Sequence, residues 1–424
     1  MLKEIKHINL LKLKTHNNNG STIVFPKNTL EVSELLKLCN KRKIEVVPIG
    51  GNTNRVKGTF QTDKTKSILM SLKHMNKIKK IDEDNLIMTV EAGVTLERVQ
   101  KRALSKAYLF PVHVASHKEC NIGGNISTNV GGLQVLKYGN IENNINGLEI
   151  VLMDGTIINQ LSILKKDNFG PKIWKLFCGS EGTYGIITQA SLKLLPKKNY
   201  TYTYLIEISK FTTLFKLFKQ LRSKYFDQLT SYEVIFPEPV SILNQKYTKK
   251  FNIIVEFNSN ENKNFNNDFE KFKVIKFEKN KIHSQIWPLR TKVVTQQVEN
   301  SYLYKFDISL PLNNWSIFLN AVEIFHKDNA SYEPYFFGHL GDGNLHCNYK
   351  INNSNQKKYQ KLENSIYQLV IKLGGSIAAE HGLGYSKNHL IKKYKSREHF
   401  EILNKIKSLF DKDKLLNRNK LIKS

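Results

Sequence analysis

Two histidines flank a glycine-rich turn in the segment HLGDGNLH, residues 339–346. The dipeptide Asp342-Gly343 favours a two-residue hairpin turn, which would place His339 directly opposite His346. Paired side chains share one face of a sheet with Cβ atoms about 5 Å apart, a separation at which two imidazoles can bind one cation. Asn348 would point to the same side. A wider loop would change this pairing, and the alternative is a pair of ordinary surface or core histidines.

A second cluster, Glu380-His381-Gly382, follows the apolar residues SIAA. Two histidines and one carboxylate would leave coordination positions open on a metal ion, as a catalytic site requires. Zinc and other divalent ions accept such ligands. His381 could instead act as a general base, because a neutral imidazole titrates near pH ~6.5. The alternative for His381 is a supporting position beside the metal.

Glycine and asparagine are concentrated in four segments, of which three lie in the N-terminal half. Glycines after strands let backbone N–H groups approach phosphate oxygens closely. Neither GxGxxG nor GxxxxGK[ST] occurs, so a Rossmann site and a Walker P-loop are unsupported. One glycine pair is usually a tight turn, but three such loops suit a long phosphate-bearing cofactor. The segments are GGNTN (50–54), IGGNISTNVGG (122–132), GSEGTYG (179–185) and GHLGDGN (338–344).

The 424-residue chain carries 65 basic and 37 acidic residues, a formal net charge of +28. Nucleic acid or an anionic surface is one interpretation of this charge. The lysines are spread along the chain, however, and compositional drift towards Lys, Asn and Ile explains them better. No apolar run approaches ~18 residues, so we expect no membrane span. The four scattered cysteines and the absence of a signal-peptide pattern predict a cytoplasmic protein with reduced thiols.

The elements that must position these residues change in character near 197–199. Before this point, short strands precede the glycine loops, Thr95 can cap a helix over 96–107, and Asp154-Gly155 predicts a hairpin. After it, longer alternating strands interleave with helices, which predicts an α+β second domain. The expected helices cover 212–224, 263–272, 315–327, 357–373 and a tail from about 388.

The glycine-rich motifs, in order and spacing, resemble the FAD-binding domain of the vanillyl-alcohol oxidase and para-cresol methylhydroxylase (PCMH) family. They are VVPIGGNTNRVKG, CNIGGNISTNVGG, KDNFG and LFCGSEGTYGIIT. Downstream, FFGHLGDGNLHCNY and GGSIAAEHGLGYSK resemble the D-2-hydroxy-acid dehydrogenase branch of that family. The GGNTN, STN and KDN variants look most like D-2-hydroxyglutarate dehydrogenases. The resemblance runs from about residue 22 to residue 420.

The resemblance implies an α+β, two-domain flavoprotein. It has a PCMH-type FAD-binding domain over 1–197, an antiparallel-sheet substrate-binding cap domain over 198–385, and a C-terminal helical segment over 386–424 that packs on the FAD domain. The residues implied to hold FAD lie in the three N-terminal glycine loops and the strand that follows them. They are Gly50, Gly51, Asn52, Thr53, Asn54, Gly123, Gly124, Thr128, Gly131, Gly132, Glu181, Gly182 and Ile187.

The same resemblance assigns a divalent metal, usually zinc, to His339, His346 and Glu380, and the role of general base to His381. It makes Arg290, Lys305 and Asn348 the residues that bind the substrate. An arginine offers a planar fork and a lysine a point charge to a carboxylate. The implied reaction is the oxidation of a D-2-hydroxy acid, with D-2-hydroxyglutarate as the best guess, by hydride transfer to flavin N5. The implied partners are a small carboxylate substrate, an electron acceptor such as electron-transfer flavoprotein or a quinone, and a second subunit in a homodimer.

Several positions depart from the family pattern. Bulky side chains occupy 115–119, Pro171 follows Gly170, Val294 replaces a substrate-binding threonine, and Arg418 replaces a proline. These departures leave other functions open. They include a D-lactate or glycolate dehydrogenase of the same fold, a non-redox flavoprotein similar to alkylglycerone-phosphate synthase, and a degenerate flavoprotein. A basic nucleic-acid-binding protein is disfavoured, because no aromatic-rich basic module is present.

Overall fold

The structure of the protein is a computed structural model that describes residues 14–18, 21–239, 250–275, 282–299, 303–328, 332–351 and 356–422. The chain divides into two compact units. The first contains 1–131, 139–197 and 380–424, and the second contains 132–138 and 198–379. The short segment 132–138 therefore belongs with the second unit, and the last segment of the first unit begins at Glu380.

The first unit contains two main sheets of different topology. A four-stranded sheet, in the order β1-β2-β4-β3, has a parallel core onto which β1 pairs antiparallel. A five-stranded antiparallel sheet has the order β5-β6-β10-β8-β9, and β7 pairs with β11 separately. The strands are β1 Lys14–Asn18, β2 Ser21–Phe25, β3 Glu45–Ile49, β4 Ser67–Ser71, β5 Ile78–Asp82, β6 Ile87–Glu91, β7 Tyr108–Leu109, β8 Ile145–Val151, β9 Ile157–Asn159, β10 Ile186–Lys193 and β11 Leu195–Pro196.

Helices of the first unit connect or cover these sheets. They are α1 Thr29–Arg42, α2 Leu96–Leu104, α3 Ile122–Ser127, α9 Asn388–Tyr394 and α10 Arg397–Phe410, with 3-10 turns at Ile141–Asn144 and Ile173–Phe177. Thr95 caps α2 by accepting a hydrogen bond from the N–H of Arg98, as predicted. The hairpin at Asp154-Gly155 is also confirmed, because β8 and β9 pair around it and Gly155 has φ +85°.

Within the described residues, the second unit forms an eight-stranded sheet in which all pairs are antiparallel. Its order is β15-β12-β14-β13-β18-β19-β16, and β17 pairs with β19 beside that path. The strands are β12 Tyr200–Ile208, β13 Leu229–Ile235, β14 Phe251–Ser259, β15 Lys273–Ile275, β16 Leu303–Tyr304, β17 Asp307–Ser309, β18 Tyr332–Gly338 and β19 Asn344–Ile351. The predicted α+β class is confirmed.

The helices of the second unit are α4 Val135–Tyr138, α5 Phe211–Lys224, α6 Ile282–Glu299, α7 Trp315–Asp328 and α8 Gln356–Lys372. The expected helix over 263–272 is wrong, since only a 3-10 turn forms at Asn266–Phe269. Five asparagines and no long aliphatic residue lie in 260–268, so the segment has little helix propensity. No helix within the described residues is long and apolar enough to cross a membrane.

Candidate active site

The loop between β18 and β19 is wider than a two-residue turn. β18 ends at Gly338, residues 340–342 form a 3-10 turn, and Gly343 adopts φ +84° before β19 begins at Asn344. His346 pairs with Phe337, so the expected pairing of His346 with His339 is wrong. Leu340 is fully buried, and its burial draws the loop into the 3-10 turn. The two imidazoles still come together, with 5.6 Å between ring centroids.

Glu380 reaches the same place through backbone hydrogen bonds that continue the sheet. Ser376 and Ser309 exchange two such bonds, and the N–H of Ala379 donates to the carbonyl oxygen of Asp307. Asp307 is in turn the register partner of His346. Glu380 directly follows Ala379, and one ligand atom from each of His339, His346 and Glu380 lies within 4.8 Å of the others. Imidazole nitrogens and a carboxylate oxygen at this spacing have the right chemistry to hold one divalent cation.

A buried carboxylate lies directly behind His339. Oε1 of Glu233 is 2.5 Å from Nδ1 of His339, and Oε2 accepts a 3.0 Å hydrogen bond from Nε of Arg290. The side chain of Glu233 is only 1% exposed. Burial alone would raise the pKa of Glu233, but the charges and hydrogen bonds of His339 and Arg290 outweigh burial and lower its pKa to about 2.

Sequence reasoning missed Glu233, although a signal for it existed. Glu233 interrupts the strand LTSYEVI at a position whose neighbours on the same face, Ser231 and Ile235, are buried. An acidic residue in the middle of a buried strand needs a partner. The partner could not be identified from sequence, because His339 is 106 residues away along the chain.

His346 also has a carboxylate near its Nδ1 atom. Oδ1 of Asp307 is 3.6 Å from that nitrogen, which is longer than a direct hydrogen bond. Asp307 is buried and accepts a 2.9 Å hydrogen bond from the side-chain amide of Asn344. Both imidazoles of the cluster therefore have an acidic neighbour on the Nδ1 side.

The predicted substrate-binding residues lie in three places. Arg290 is on α6, is 5% exposed, and stacks over the ring of Phe337 with 4.4 Å to its centroid. Asn348 is buried on β19, two residues after His346 and on the same face of the sheet. Lys305 is partly exposed between β16 and β17. Val294 packs against the apolar cluster beneath α6, and the side chain of Thr295 lies outside the described residues.

The first glycine loop begins where β3 ends, and close packing explains its second glycine. A Cβ atom on Gly51 would be 2.1 Å from the carbonyl oxygen of Glu119, so no other residue fits there without backbone movement. Gly50 and Gly124 both pack against the side chain of Asn121, which caps α3. Gly50, Gly51, Asn52 and Thr53 are exposed, and Asn52 has φ +54°. An exposed glycine-rich backbone next to a strand end has the properties needed to bind a pyrophosphate.

The bulky segment 115–119 forms a turn whose backbone packs against Gly51 and is hydrogen-bonded to α2. The N–H groups of Glu119 and Cys120 donate to the carbonyl oxygen of Ser116. The N–H of Glu97 on α2 donates to the carbonyl oxygen of His117. The pKa of Glu97 is lowered first by its hydrogen bond to Lys101, and further by the charges of Lys118 and His117. The added side chains are thus accommodated beside α2, while the backbone still packs on Gly51.

The third glycine loop is tied to the segment that follows His381. The carboxylate of Glu181 accepts 2.7 Å hydrogen bonds from the N–H groups of both Leu383 and Gly384. Burial raises the pKa of Glu181, although these bonds oppose the rise. The carboxylate is therefore engaged within the protein, and so is the Glu181 backbone: its N–H donates to the carbonyl oxygen of Ser127, and its carbonyl oxygen accepts from the side-chain amide of Asn417.

The other predicted cofactor residues lie in the first unit, except Gly132, which belongs to the second. Thr128 donates to the carbonyl oxygen of Gly124, Gly123 packs against Ala92, and Ile187 is buried on β10. Glycines with positive φ are required at Gly132, φ +124°, and Gly182, φ +70°. Gly131 is buried beside Gly132. Asn54 donates a 3.1 Å hydrogen bond to the carbonyl oxygen of His381, which is partly exposed.

Comparisons with known proteins agree with this architecture. The FAD binding domain family matches residues 21–160, and the family of the C-terminal domain of FAD linked oxidases matches 241–421. A solved structure of p-cresol methylhydroxylase with substrate bound superposes with a TM-score of 0.70 at 16% identity, covering 95% of this chain and 89% of that one. This likeness establishes the fold.

Sequence relatives are closer. The mitochondrial D-2-hydroxyglutarate dehydrogenase of Arabidopsis thaliana is 32% identical over 96% of this chain and 76% of its own length. That of Danio rerio is 31% identical over 99% and 81%, and the D-2-hydroxyglutarate–pyruvate transhydrogenase of Saccharomyces cerevisiae is 29% identical over 99% and 90%. The fold and the matched domains define an FAD-linked oxidoreductase. The chain belongs to the FAD-linked D-2-hydroxy-acid dehydrogenases of the vanillyl-alcohol oxidase and PCMH family.

Proposed function

We propose that the protein oxidises a D-2-hydroxy acid to the 2-oxo acid with FAD and a divalent metal ion, and that D-2-hydroxyglutarate is the preferred substrate. The observation that carries the proposal is the cluster of His339, His346 and Glu380, in which one ligand atom of each residue lies within 4.8 Å of the others. Glu380 directly precedes His381 in the chain. The names of the Arabidopsis thaliana and Danio rerio relatives support the choice of substrate.

The residues present fit both cofactors. Bound FAD would supply the hydride acceptor, its N5 atom, and the exposed loop 50–54 would hold its pyrophosphate. A divalent ion on the His-His-Glu cluster, with zinc expected, would supply Lewis acidity towards the 2-hydroxyl and the C1 carboxylate. The sheet and the backbone bonds of residues 376–379 position the members of the cluster.

The protein's own residues would then align the substrate and move one proton. His381 takes the proton of the 2-hydroxyl, and Asn348 orients the substrate from the face that carries His346. Arg290 and Lys305 bind substrate carboxylates through charge. Within the described residues, Arg290 uses Nε for Glu233, and its two terminal nitrogens remain for a planar, bidentate contact with a carboxylate.

A monocarboxylate substrate is the second candidate. Val294 packs into an apolar cluster at the position where the family has a substrate-binding threonine, which removes one hydroxyl that a distal carboxylate could use. D-lactate or glycolate would not need that contact. The electron acceptor is proposed to be an electron-transfer flavoprotein or a quinone; the yeast relative's name makes pyruvate a further one to test. We also propose a homodimer and, although the Arabidopsis thaliana and Danio rerio relatives are named as mitochondrial, a cytoplasmic location.

One experiment tests the proposal. The FAD-loaded protein is mixed anaerobically with D-2-hydroxyglutarate, D-lactate or glycolate, with and without a chelator, and bleaching of the flavin band is followed. We expect the fastest bleaching with D-2-hydroxyglutarate, its loss on chelation, and its recovery with Zn²⁺. Equal bleaching after complete metal removal contradicts the metal's role, and no bleaching with any of the three acids contradicts the activity. Faster bleaching with D-lactate would favour the second candidate.

A further inference from the structure

We propose that Glu233 is the positioning residue of the metal centre, holding His339 in the tautomer that presents Nε2 to the cation, and that Arg290 holds Glu233 in turn. The inference rests on the proposed metal site, and Glu233, His339 and Arg290 all lie in the second unit. Nothing in the family resemblance assigns a role to Glu233.

The contact between Glu233 and His339 determines which imidazole nitrogen can bind the metal ion. Oε1 of Glu233 lies 2.5 Å from Nδ1 of His339, so this nitrogen carries the shared proton and cannot also donate a lone pair to a metal ion. The ring nitrogen left for the ion is Nε2. A carboxylate on the far nitrogen of a ligating histidine also makes the imidazole a stronger donor.

The Glu233 carboxylate is itself held in a defined orientation. Glu233 lies on the central strand β13, where neighbouring strands pair on both sides, and its side chain is 1% exposed. Nε of Arg290 donates to Oε2 while the guanidinium lies over the Phe337 ring, so the two oxygens have separate, defined partners. A buried anion with one cationic donor and one imidazole has little freedom to move.

Arg290 therefore has a second role besides substrate binding. A single guanidinium bonds the carboxylate that orients a metal ligand, and it remains able to bind an anionic substrate through its terminal nitrogens. Loss of Arg290 should therefore weaken both metal binding and substrate binding, whereas loss of Lys305 should weaken substrate binding alone.

Glu256 provides a matched control on the next strand, β14. Its carboxylate is equally buried and accepts hydrogen bonds from Trp287 on α6, Thr230 and Gln134. It therefore helps to dock the same helix on the same face of the sheet, but through Trp287 rather than Arg290. Substitution of Glu256 reports the general cost of losing a buried carboxylate there.

The test measures metal affinity, with Zn²⁺ and Co²⁺ as probes, in the full-length FAD-loaded protein. In competition with a chromophoric chelator, we expect Glu233→Gln to bind Zn²⁺ about 10- to 100-fold more weakly than the wild type, while Glu256→Gln binds it within about 2-fold. Glu233→Asp, which keeps the charge on a shorter side chain, should restore part of the affinity. The Co²⁺ absorption spectrum should change in Glu233→Gln and stay constant in Glu256→Gln.

Wild-type metal affinity and an unchanged Co²⁺ spectrum in Glu233→Gln would overturn the inference while leaving the metal site in place. Wild-type affinity in His339→Ala and Glu380→Gln would instead overturn the metal site proposed above. If Glu233→Gln does not fold, histidine-selective ¹⁵N spectra of the wild-type protein with Zn²⁺ decide the matter. We expect His339 to be protonated on Nδ1 and ligated through Nε2, and ligation through Nδ1 would overturn the inference.

Discussion

The side-chain amide of Asn54 donates a 3.1 Å hydrogen bond to the main-chain carbonyl oxygen of His381. The loop proposed to hold the FAD pyrophosphate is thus joined directly to the residue proposed as the general base. Glu181 provides a second connection, because it binds the N–H groups of Leu383 and Gly384 just beyond. The segment 381–384 is consequently held by two side chains from separate glycine-rich loops of the same unit.

The first prediction concerns the imidazole of His381. Because Asn54 bonds the backbone of His381, a His381→Ala variant keeps that connection and should retain FAD. Loss of a general base should slow anaerobic flavin reduction by D-2-hydroxyglutarate by at least about 100-fold. His389→Ala, at an exposed histidine on α9, is the control and should reduce its flavin normally. Reduction at the wild-type rate in His381→Ala would remove this residue from the role of base.

The second prediction concerns the carboxylate of Glu181. A Gln side chain has one acceptor oxygen where the carboxylate has two, so Glu181→Gln would leave one of the Leu383 and Gly384 N–H groups without its acceptor. We expect the free energy of unfolding to fall by about 1–3 kcal/mol, measured by urea denaturation of the FAD-loaded protein. Glu34→Gln, at an exposed position of α1, should change it by less than about 0.5 kcal/mol. Equal stability of the two variants would contradict the inferred role.

Sequence patterns with local causes predicted their structures well. The Thr95 cap and the Asp154-Gly155 hairpin depend on neighbours a few residues away, and both formed as expected. The His339–His346 hairpin failed in register, because the tertiary burial of Leu340 decided the loop shape. The three proposed metal ligands nevertheless came together, since the family motifs already encode which distant residues meet.

Residues outside the family motifs whose partners are distant in sequence could not be predicted. Glu233 is an acidic residue in a buried strand, and its partner can be identified only once the strand order β14-β13-β18 is known. Asn121 was likewise missed as the side chain on which Gly50 packs. Such contacts depend on tertiary structure and leave no local pattern to read.

The third prediction tests the packing of the first glycine loop. In Gly51→Ala the new Cβ atom would meet the backbone of Glu119 at 2.1 Å, so the loop must move away from the 115–120 segment. We expect the purified variant to contain less FAD per chain, measured by its flavin absorbance, and to melt at a lower temperature. Gly58→Ala is the matched control, because its nearest neighbour would be an atom of Asn54 at 3.8 Å, an ordinary contact. Full FAD content in Gly51→Ala would refute the loop's proposed role.

The last prediction concerns Lys420, a residue of the first unit that is 1% exposed. Burial lowers its pKa to about 8, although the charges of Glu45 and Glu181 oppose this shift. The unfolded chain holds this proton up to a pKa of about 10.4, so between the two values the unfolded state binds more protons. Below pH 8 the buried ammonium therefore lowers the free energy of unfolding by its full amount. This destabilisation disappears as the pH rises towards 10.4.

Lys420→Met should consequently be more stable than the wild type at pH 7, by at most about 3 kcal/mol at about 1.4 kcal/mol per pKa unit. The loss of the 2.9 Å hydrogen bond to the carbonyl oxygen of Arg418 reduces this gain. Chemical denaturation from pH 7 to pH 10.5 should show the difference shrinking as the pH rises. Lys412→Met, at an exposed neighbour, should give a small difference that does not change with pH. A Lys420→Met variant that is less stable than the wild type at pH 7, with a gap that stays constant as the pH rises, would show that the buried ammonium is a net stabilising group.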